Sequence, residues 1–356
     1  MIYLDNSATT RTAHSAAQAA GKYMTEEFFN PSAAYSPAVR EERAVNGARK
    51  TIASAIGVQG DEIIFTSGGT ESNNWALQAA RGKHAVVSAI EHASVLEAAR
   101  RWAASVTVVE PDDGGVIRPE RVQSALRADT ALVSVQWANN ETGVLQPVEE
   151  IGQIAHRHGA LFHTDAVQAF GHVPVNASCC DLLSLSGHKL YGPRGVGCLF
   201  VRSGTSLPPL LFGGEQESGL RAGTENTPAI CGLGMAAKLA QEDMDKRAHN
   251  ERALISAFAQ ALPEARMLGW QAKRLPGVAA FHLPGLESER VIAHLDLHGV
   301  CVSGGAACAS ASHEPSHVYR AMGLDDREAR CVIRISVGRS TSMEDMLEAA
   351  RLICAL

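Results

Sequence analysis

None of the eight cysteines, at positions 179, 180, 198, 231, 301, 308, 331 and 354, forms a Cys-x-x-Cys pair. Zinc sites and disulfide frameworks need thiols in close, repeated spacing, and Cys179-Cys180 with His156 and His158 does not supply it. No metal is expected, and the thiols read as free. Basic runs are also missing. Lys and Arg number 32 against 38 Asp and Glu, and the net charge of −6 offers nucleic acid no attractive field, so direct nucleic-acid binding is not expected. No apolar stretch approaches the roughly 20 residues that cross a bilayer. The opening MIYLDNSATT lacks the charged and apolar regions of a secretion signal. A cytoplasmic location without membrane association is the expectation. The string TSGGTESNN is neither a Walker loop, since no Lys-Ser/Thr follows, nor a GxGxxG turn. Internal repeats, low-complexity segments and flexible linkers are absent as well.

What is present describes an ordinary globular chain. Its 356 residues, 46% apolar and 20% charged, suffice for roughly two domains with their own cores. Between about residues 60 and 200, short β-rich runs (EIIFTS, AVVSAI, SVTVVE, ALVSVQW, ALFHTD, DLLSLS, GCLFV) alternate with stretches of helical apolar spacing, two of which stop at Gly82 and Gly159. Continuous apolar strands joined by helical crossovers predict an α/β fold with a mostly parallel sheet covered on both faces. Ser36-Pro37 is expected to cap and start a long helix towards Gly57, another long helix spans about 226–260, and a smaller α+β region follows.

Ligands of such sheets gather at the carboxyl ends of the strands. Lys189 follows the run DLLSLS, and Asp165 ends the run ALFHTD. A lysine amine that condenses with an aldehyde, beside a carboxylate that keeps a pyridine nitrogen protonated, is the pairing pyridoxal phosphate (PLP) requires. Taken alone, the lysine is as readily a solvated loop residue and the aspartate a helix cap. The Ser67 to Thr70 loop opens a helix and presents N–H groups to a phosphate, or is simply a capped helix start. His92 follows a strand, where its imidazole can stack on a flat cofactor and exchange protons, or is a satisfied polar residue. Asn140 at a strand end can bind a ring oxygen or a substrate carboxylate, or hold a turn. Gln168 can reach the phenolic oxygen of the ring. Cys308, among the small residues of VSGGAACASASHEPSHV, is a candidate nucleophile, with a buried loop thiol as the alternative. Arg339 in SVGRST is a candidate carboxylate clamp or a surface ion-pair partner.

Taken together, the motifs LDNSATT, FTSGGTESNN, EHASV, NNETG, HTDAVQ, SGHKLYGPRGVG, GLRAGTENT, SGGAACASASHEPSHV and SVGRST resemble, in order and over nearly the whole chain, the cysteine desulfurases of the NifS/IscS type in the class V PLP-dependent aminotransferase family. The resemblance implies aminotransferase fold type I: a large domain of residues 13–250 with a mostly parallel seven-stranded sheet, and a small α+β domain of residues 1–12 and 251–356 carrying the Cys308 loop. It implies that Lys189 holds PLP covalently and moves the substrate Cα proton. Asp165 pairs with the pyridine nitrogen, His92 stacks on the ring and Gln168 bonds its O3′ oxygen. Gly69, Thr70, Ser186 and His188 hold the phosphate, with Thr224 reaching across from the second subunit of a homodimer. Asn140 and Arg339 bind the carboxylate of L-cysteine, and Cys308 takes the sulfur as a persulfide, leaving alanine. The stretch from Cys308 to Val318 resembles the long-loop members, which hand sulfur to protein acceptors for iron–sulfur clusters or tRNA and cofactor thiolation.

The alternatives are a selenocysteine lyase or other class V lyase or aminotransferase, and a non-catalytic sulfur-carrier or assembly subunit. Departures from the family pattern are Tyr35 and Pro37 for the frequent His and Gly, Ser218 for a common Arg, and Ala307 beside the cysteine. The end at Leu356, without the C-terminal extension of scaffold-binding members, puts a dedicated scaffold partnership in question.

Overall fold

A computed structural model describes residues 1–305 and 314–356. Strand β1 (Ile2–Tyr3) leads to helices α1 (His14–Thr25) and α2 (Ser36–Ile56), after which strands and helices alternate. These are β2 (Ile63–Thr66), α3 (Gly69–Ala76), β3 (His84–Ser88), α4 (Ala93–Trp102), β4 (Ser105–Val109), α5 (Pro119–Ala125), β5 (Thr130–Ser134), α6 (Val148–His158), β6 (Leu161–Asp165), β7 (Leu182–Ser186) and β8 (Gly197–Val201). Helix α7 (Thr227–Ala261) then leads into β9 (Arg266–Met267), β10 (Val278–His282), α8 (Ser288–Leu297), β11 (Val300–Cys301), α9 (His317–Ala321), α10 (Asp326–Arg330), β12 (Val332–Ser336) and α11 (Met343–Cys354).

Among the described residues, β2 to β8 form one seven-stranded sheet in the order β2-β8-β7-β6-β5-β3-β4. Neighbours from β4 through β7 run parallel, and β8 lies antiparallel between β7 and β2. The α/β expectation holds, and every predicted strand run overlaps one of these strands. Their apolar residues divide by pleat between two clusters: Val86, Val133, Phe162, Leu183 and Leu185 pack on one face, Ala85, Val87, Leu132, Leu182 and Leu199 on the other. A third cluster gathers Leu4 with residues between Leu254 and Ile353 around β10 and β12.

The helix signals fall close to their observed positions, with two local differences. Gly57 and Gly159 end α2 and α6 in the left-handed region, at φ 75° and 83°. The stretch before Gly82 is helical only to Ala76 and tightens into a 3-10 turn over Leu77–Ala80, because the chain must turn into the buried β3. Ser36 is the first helical residue, not the cap. Extended Tyr35 is the cap, and Pro37 sits in the first turn, where a missing N–H costs nothing. Among the described residues, no helix is long and apolar enough to cross a membrane.

Candidate active site

The carboxyl ends of β2, β3, β5, β6 and β7 converge on a cavity of about 200 Å³ lined by residues that include Gly69, Thr70, His92, Asn140, Asp165, Gln168, Ser186, His188 and Lys189. The parallel order explains the convergence. Five strands pointing one way deliver their terminal side chains and following loops to one edge of the sheet.

Asp165 is the last residue of β6 and is 7% exposed. Its Oδ1 accepts from Val167 N at 2.9 Å, and its Oδ2 accepts from Asn73 Nδ2 at 2.7 Å. Asn73 lies one turn into α3 and also donates to Ser94 Oγ at 2.9 Å, while Ser94 Oγ stands 2.7 Å from His92 Nδ1. Ser94 N donates to the same Nδ1 at 3.1 Å, which makes Nδ1 an acceptor and leaves the proton of the neutral ring on Nε2. One chain of hydrogen bonds therefore orients both the carboxylate and the imidazole. Burial lowers the His92 pKa, Asp165 opposes the shift and Lys189 adds to it, so the ring is neutral at neutral pH.

Lys189 ends a 3-10 turn directly after β7. Its Nζ donates to the carbonyl oxygens of Ser7 at 2.5 Å and Ala8 at 2.8 Å. Gln168 Nε2 donates to the same Ser7 oxygen at 3.0 Å. The N-terminal segment therefore closes one side of the cavity. His188 Nδ1 lies 3.1 Å from Thr9 Oγ1, and burial, with the Lys189 and Arg194 charges, pushes its pKa down to about 4.

A second depression shares Gly69, Thr70, Ser186 and His188 with the first and adds Thr9, Ser67, Gly68, Glu71, Arg194 and Gly195, with Glu71 paired to Arg221. It lies at the N-terminus of α3, where unpaired N–H groups and the helix dipole favour an anion. Gly68 sits at φ 150°, a conformation side chains rarely adopt, and a Cβ on Gly69 would stand 2.8 Å from Val167 Cγ2. The backbone can come this close to the floor of the cavity only with glycine at both positions.

Two sequence-predicted residues stand away from this cavity. Arg339 is not among its lining residues: it stacks 4.6 Å over the Tyr191 ring and pairs with Asp243 at 3.0 Å. The guanidinium that does line the cavity belongs to Arg334, which is 1% exposed, donates to Asp5 Oδ1 at 2.6 Å and donates to the Asn140 carbonyl at 3.1 Å. The pleat of β12 decides this: Ile333 and Ile335 enter the small apolar cluster, so Arg334 and Ser336 must face the other way. The available signal was a lone arginine inside the apolar run CVIRISV. Thr224 is exposed and lines none of its own chain's site. Cys308 lies outside the described residues. Asn73, Ser94 and the Ser7 and Ala8 carbonyls were also missed. Asn73 lies within the TSGGTESNN string, but nothing local marks its partner 92 positions away.

The Aminotransferase class-V family matches residues 2–348. The chain belongs to this family. Its relatives include "Cysteine desulfurase IscS" of Dictyoglomus turgidum, 41% identical over 97% of this chain and 91% of its own length. "Cysteine desulfurase" of Cereibacter sphaeroides is 44% identical over 97% and 92%. Among solved structures, a "NIFS-LIKE PROTEIN" superposes with a TM-score of 0.92 at 32% identity over the whole of both chains. DndA from Streptomyces lividans reaches 0.79 at 35% identity, covering 92% of this chain and 97% of its own. Class V aminotransferases of this kind depend on pyridoxal phosphate. The site of this class V member fits that group: an amine on Lys189, a carboxylate held by two donors on Asp165, a neutral imidazole and a helix N-terminus share one cavity.

Proposed function

We propose that the chain is a PLP-dependent cysteine desulfurase that takes sulfur from L-cysteine, releases L-alanine and carries the sulfur as a persulfide on Cys308. The observation that carries this reading is the convergence of Lys189, Asp165 and His92 on one cavity in a chain whose full-length relatives are cysteine desulfurases. When bound, the cofactor supplies an electron sink that labilises bonds at the substrate α-carbon and the bond to sulfur beyond it.

The protein's own residues do the rest. Lys189 would hold the cofactor, and its ε-amine would take the proton from the substrate Cα and pass it on. Asp165, fixed by Asn73 and Val167 N, would pair with the pyridine nitrogen and keep it protonated. His92 would cover the ring, and Gln168 would bond its phenolic oxygen. Gly69, Thr70, Ser186 and His188 would hold the phosphate. Asn140 and Arg334 bind the substrate carboxylate, with Arg334 in the role the motif had suggested for Arg339. The Cys308 thiolate attacks the substrate sulfur, the C–S bond breaks with its electron pair going to carbon, and protonation there gives alanine.

The finer readings belong to the same proposal. The unit is a homodimer in which exposed Thr224 completes the partner's phosphate site, and the persulfide passes to an acceptor protein in the cytoplasm. Residues 13–250 form the PLP domain and residues 1–12 with 251–356 the small domain. The small apolar cluster, made of Leu4 and residues from Leu254 onward, supports that division.

Purified protein incubated with L-cysteine without reductant is expected to gain one sulfur on the Cys308 peptide by mass spectrometry. Added sulfur on another cysteine reassigns the nucleophile. Undiminished alanine release by Cys308→Ala points to another class V lyase, and no turnover at all leaves only a carrier role.

A further inference from the structure

The buried carboxylate of Glu141 lies outside the chemistry above, and its contacts face the segment that carries Cys308. Glu141 is 1% exposed and follows Asn140, whose side chain lines the cavity and whose carbonyl accepts from Arg334. Its Oε2 accepts from Ser316 Oγ at 2.7 Å. A Cβ built on Gly305 would stand 3.1 Å from the same Oε2 and 3.4 Å from Ser316 Cβ, so the glycine backbone passes close against this carboxylate at φ 150°. Gly305 is the last described residue before positions 306–313, and Ser316 is the third after them. The buried Tyr319 lies beside the same group, and burial together with the Glu141 charge raises the phenol's pKa well above its usual value.

A second tether runs parallel to the first. His317 Nε2 lies 2.9 Å from the carbonyl of Glu91, the residue before His92. The flank after the Cys308 segment is thus fastened to the two turns that present His92 and Asn140 to the cavity, and Gly305 before it passes close to one of them.

A carboxylate removed from water, with Ser316 Oγ donating to it and the Tyr319 phenol beside it, is costly to keep, and packing alone would be served as well by an apolar side chain. Here the charge meets both flanks at a single atom. We infer that Glu141 is a positioning residue which, through Ser316 and the close approach of Gly305, sets where the Cys308 segment starts and ends relative to the substrate carboxylate site. This deepens the desulfurase reading and rests on it for its catalytic consequence. The anchoring itself does not depend on Cys308 being the nucleophile.

The test compares Ser316→Ala, Glu141→Gln and Glu141→Ala in the cofactor-loaded protein. The first readout is the rate at which iodoacetamide alkylates Cys308 in the absence of L-cysteine, followed by peptide mass spectrometry. It is expected to change about fivefold in Ser316→Ala and more in Glu141→Ala, with Glu141→Gln nearest to wild type because its amide oxygen still accepts from Ser316. The second readout is turnover. kcat for L-cysteine is expected to fall by a similar factor while KM and the violet absorption band of the bound cofactor stay unchanged, a split that general loss of structure does not produce. Unaltered alkylation in both Ser316→Ala and Glu141→Ala overturns the inference, and so does loss of the violet band in Ser316→Ala, which would assign the pair to cofactor binding. Wild-type protein that gains no sulfur on Cys308 while the variants still change its alkylation removes the functional reading and leaves the anchor standing.

Discussion

Arg334 and Asp5 meet at 2.6 Å across 329 positions of sequence, with the guanidinium 1% exposed at the wall of the cavity. Nε of the same guanidinium is buried without a hydrogen-bond partner among the described residues, and Nη1 reaches the Asn140 carbonyl. The arginine is held by Asp5 on one side and faces the substrate space on the other. A charge-assisted hydrogen bond contributes about 1.5–3 kcal/mol, roughly ten- to a hundredfold in affinity. Arg334→Lys is expected to raise KM for L-cysteine by about that factor because a point charge cannot reproduce the planar fork. Arg339→Lys is expected to leave KM within about threefold. Steady-state kinetics on both variants decides between them.

Asn73 to Asp165 is the second such pair. Removing the amide leaves Asp165 Oδ2 without the donor at 2.7 Å that orients it. Asn73→Ala is expected to reduce kcat about tenfold. Asp165→Asn, which cannot hold a proton on the pyridine nitrogen, is expected to reduce it by about 10²-fold or more. Both variants should still bind the cofactor through Lys189, which absorbance in the violet checks.

Buried titratable groups away from the reacting atoms set the pH profile of stability. Burial pushes His163 down to about 3 and His172 down to about 4, so the unfolded chain takes up protons below its ordinary 6.5 that the folded rings refuse. Their contribution is present at higher pH and is lost as pH falls. Burial raises Glu91 to about 8 and Glu251 to about 7, so the folded chain keeps protons that the unfolded one releases above its ordinary 4.5. Their contribution is lost as pH rises through those values. The two terms oppose each other between 4.5 and 6.5, only the carboxyls act above 6.5, and only the histidines act below 4.5. Urea midpoints should therefore be nearly flat around pH 5.5 and decline by pH 8.5. Glu91→Gln mimics the protonated acid, whose Oε2 is buried without a partner among the described residues, and it should remove much of the alkaline decline.

Gly197 is the start of β8, opposite both Thr66 and Ser186. A Cβ there would collide with the Leu185 carbonyl and stand 2.7 Å from Gly68 Cα. Gly197→Ala is expected to destabilise the protein by about 2 kcal/mol and to weaken PLP binding, because the strain passes directly into the loop before α3. Thermal unfolding and cofactor titration measure the two effects separately.

Apolar runs of four to five residues separated by helical stretches with glycine stops are a local code, and they settled the parallel sheet, the strand ends and hence the placing of Lys189, Asp165, His92 and the Gly69 loop at one edge. Those decisions needed no contact between distant parts of the chain. The tertiary structure decided which arginine enters the cavity, since Arg334 and Arg339 share one motif and only the packing of Ile333 and Ile335 into the small cluster fixes the outward face of β12. It also decided that Ser7 and Ala8 meet Lys189, that Asn73 meets Asp165 and that Glu141 meets Ser316. Hydrophobic period is written in neighbouring residues, whereas a hydrogen bond between residues tens to hundreds of positions apart exists only once the elements carrying them have packed.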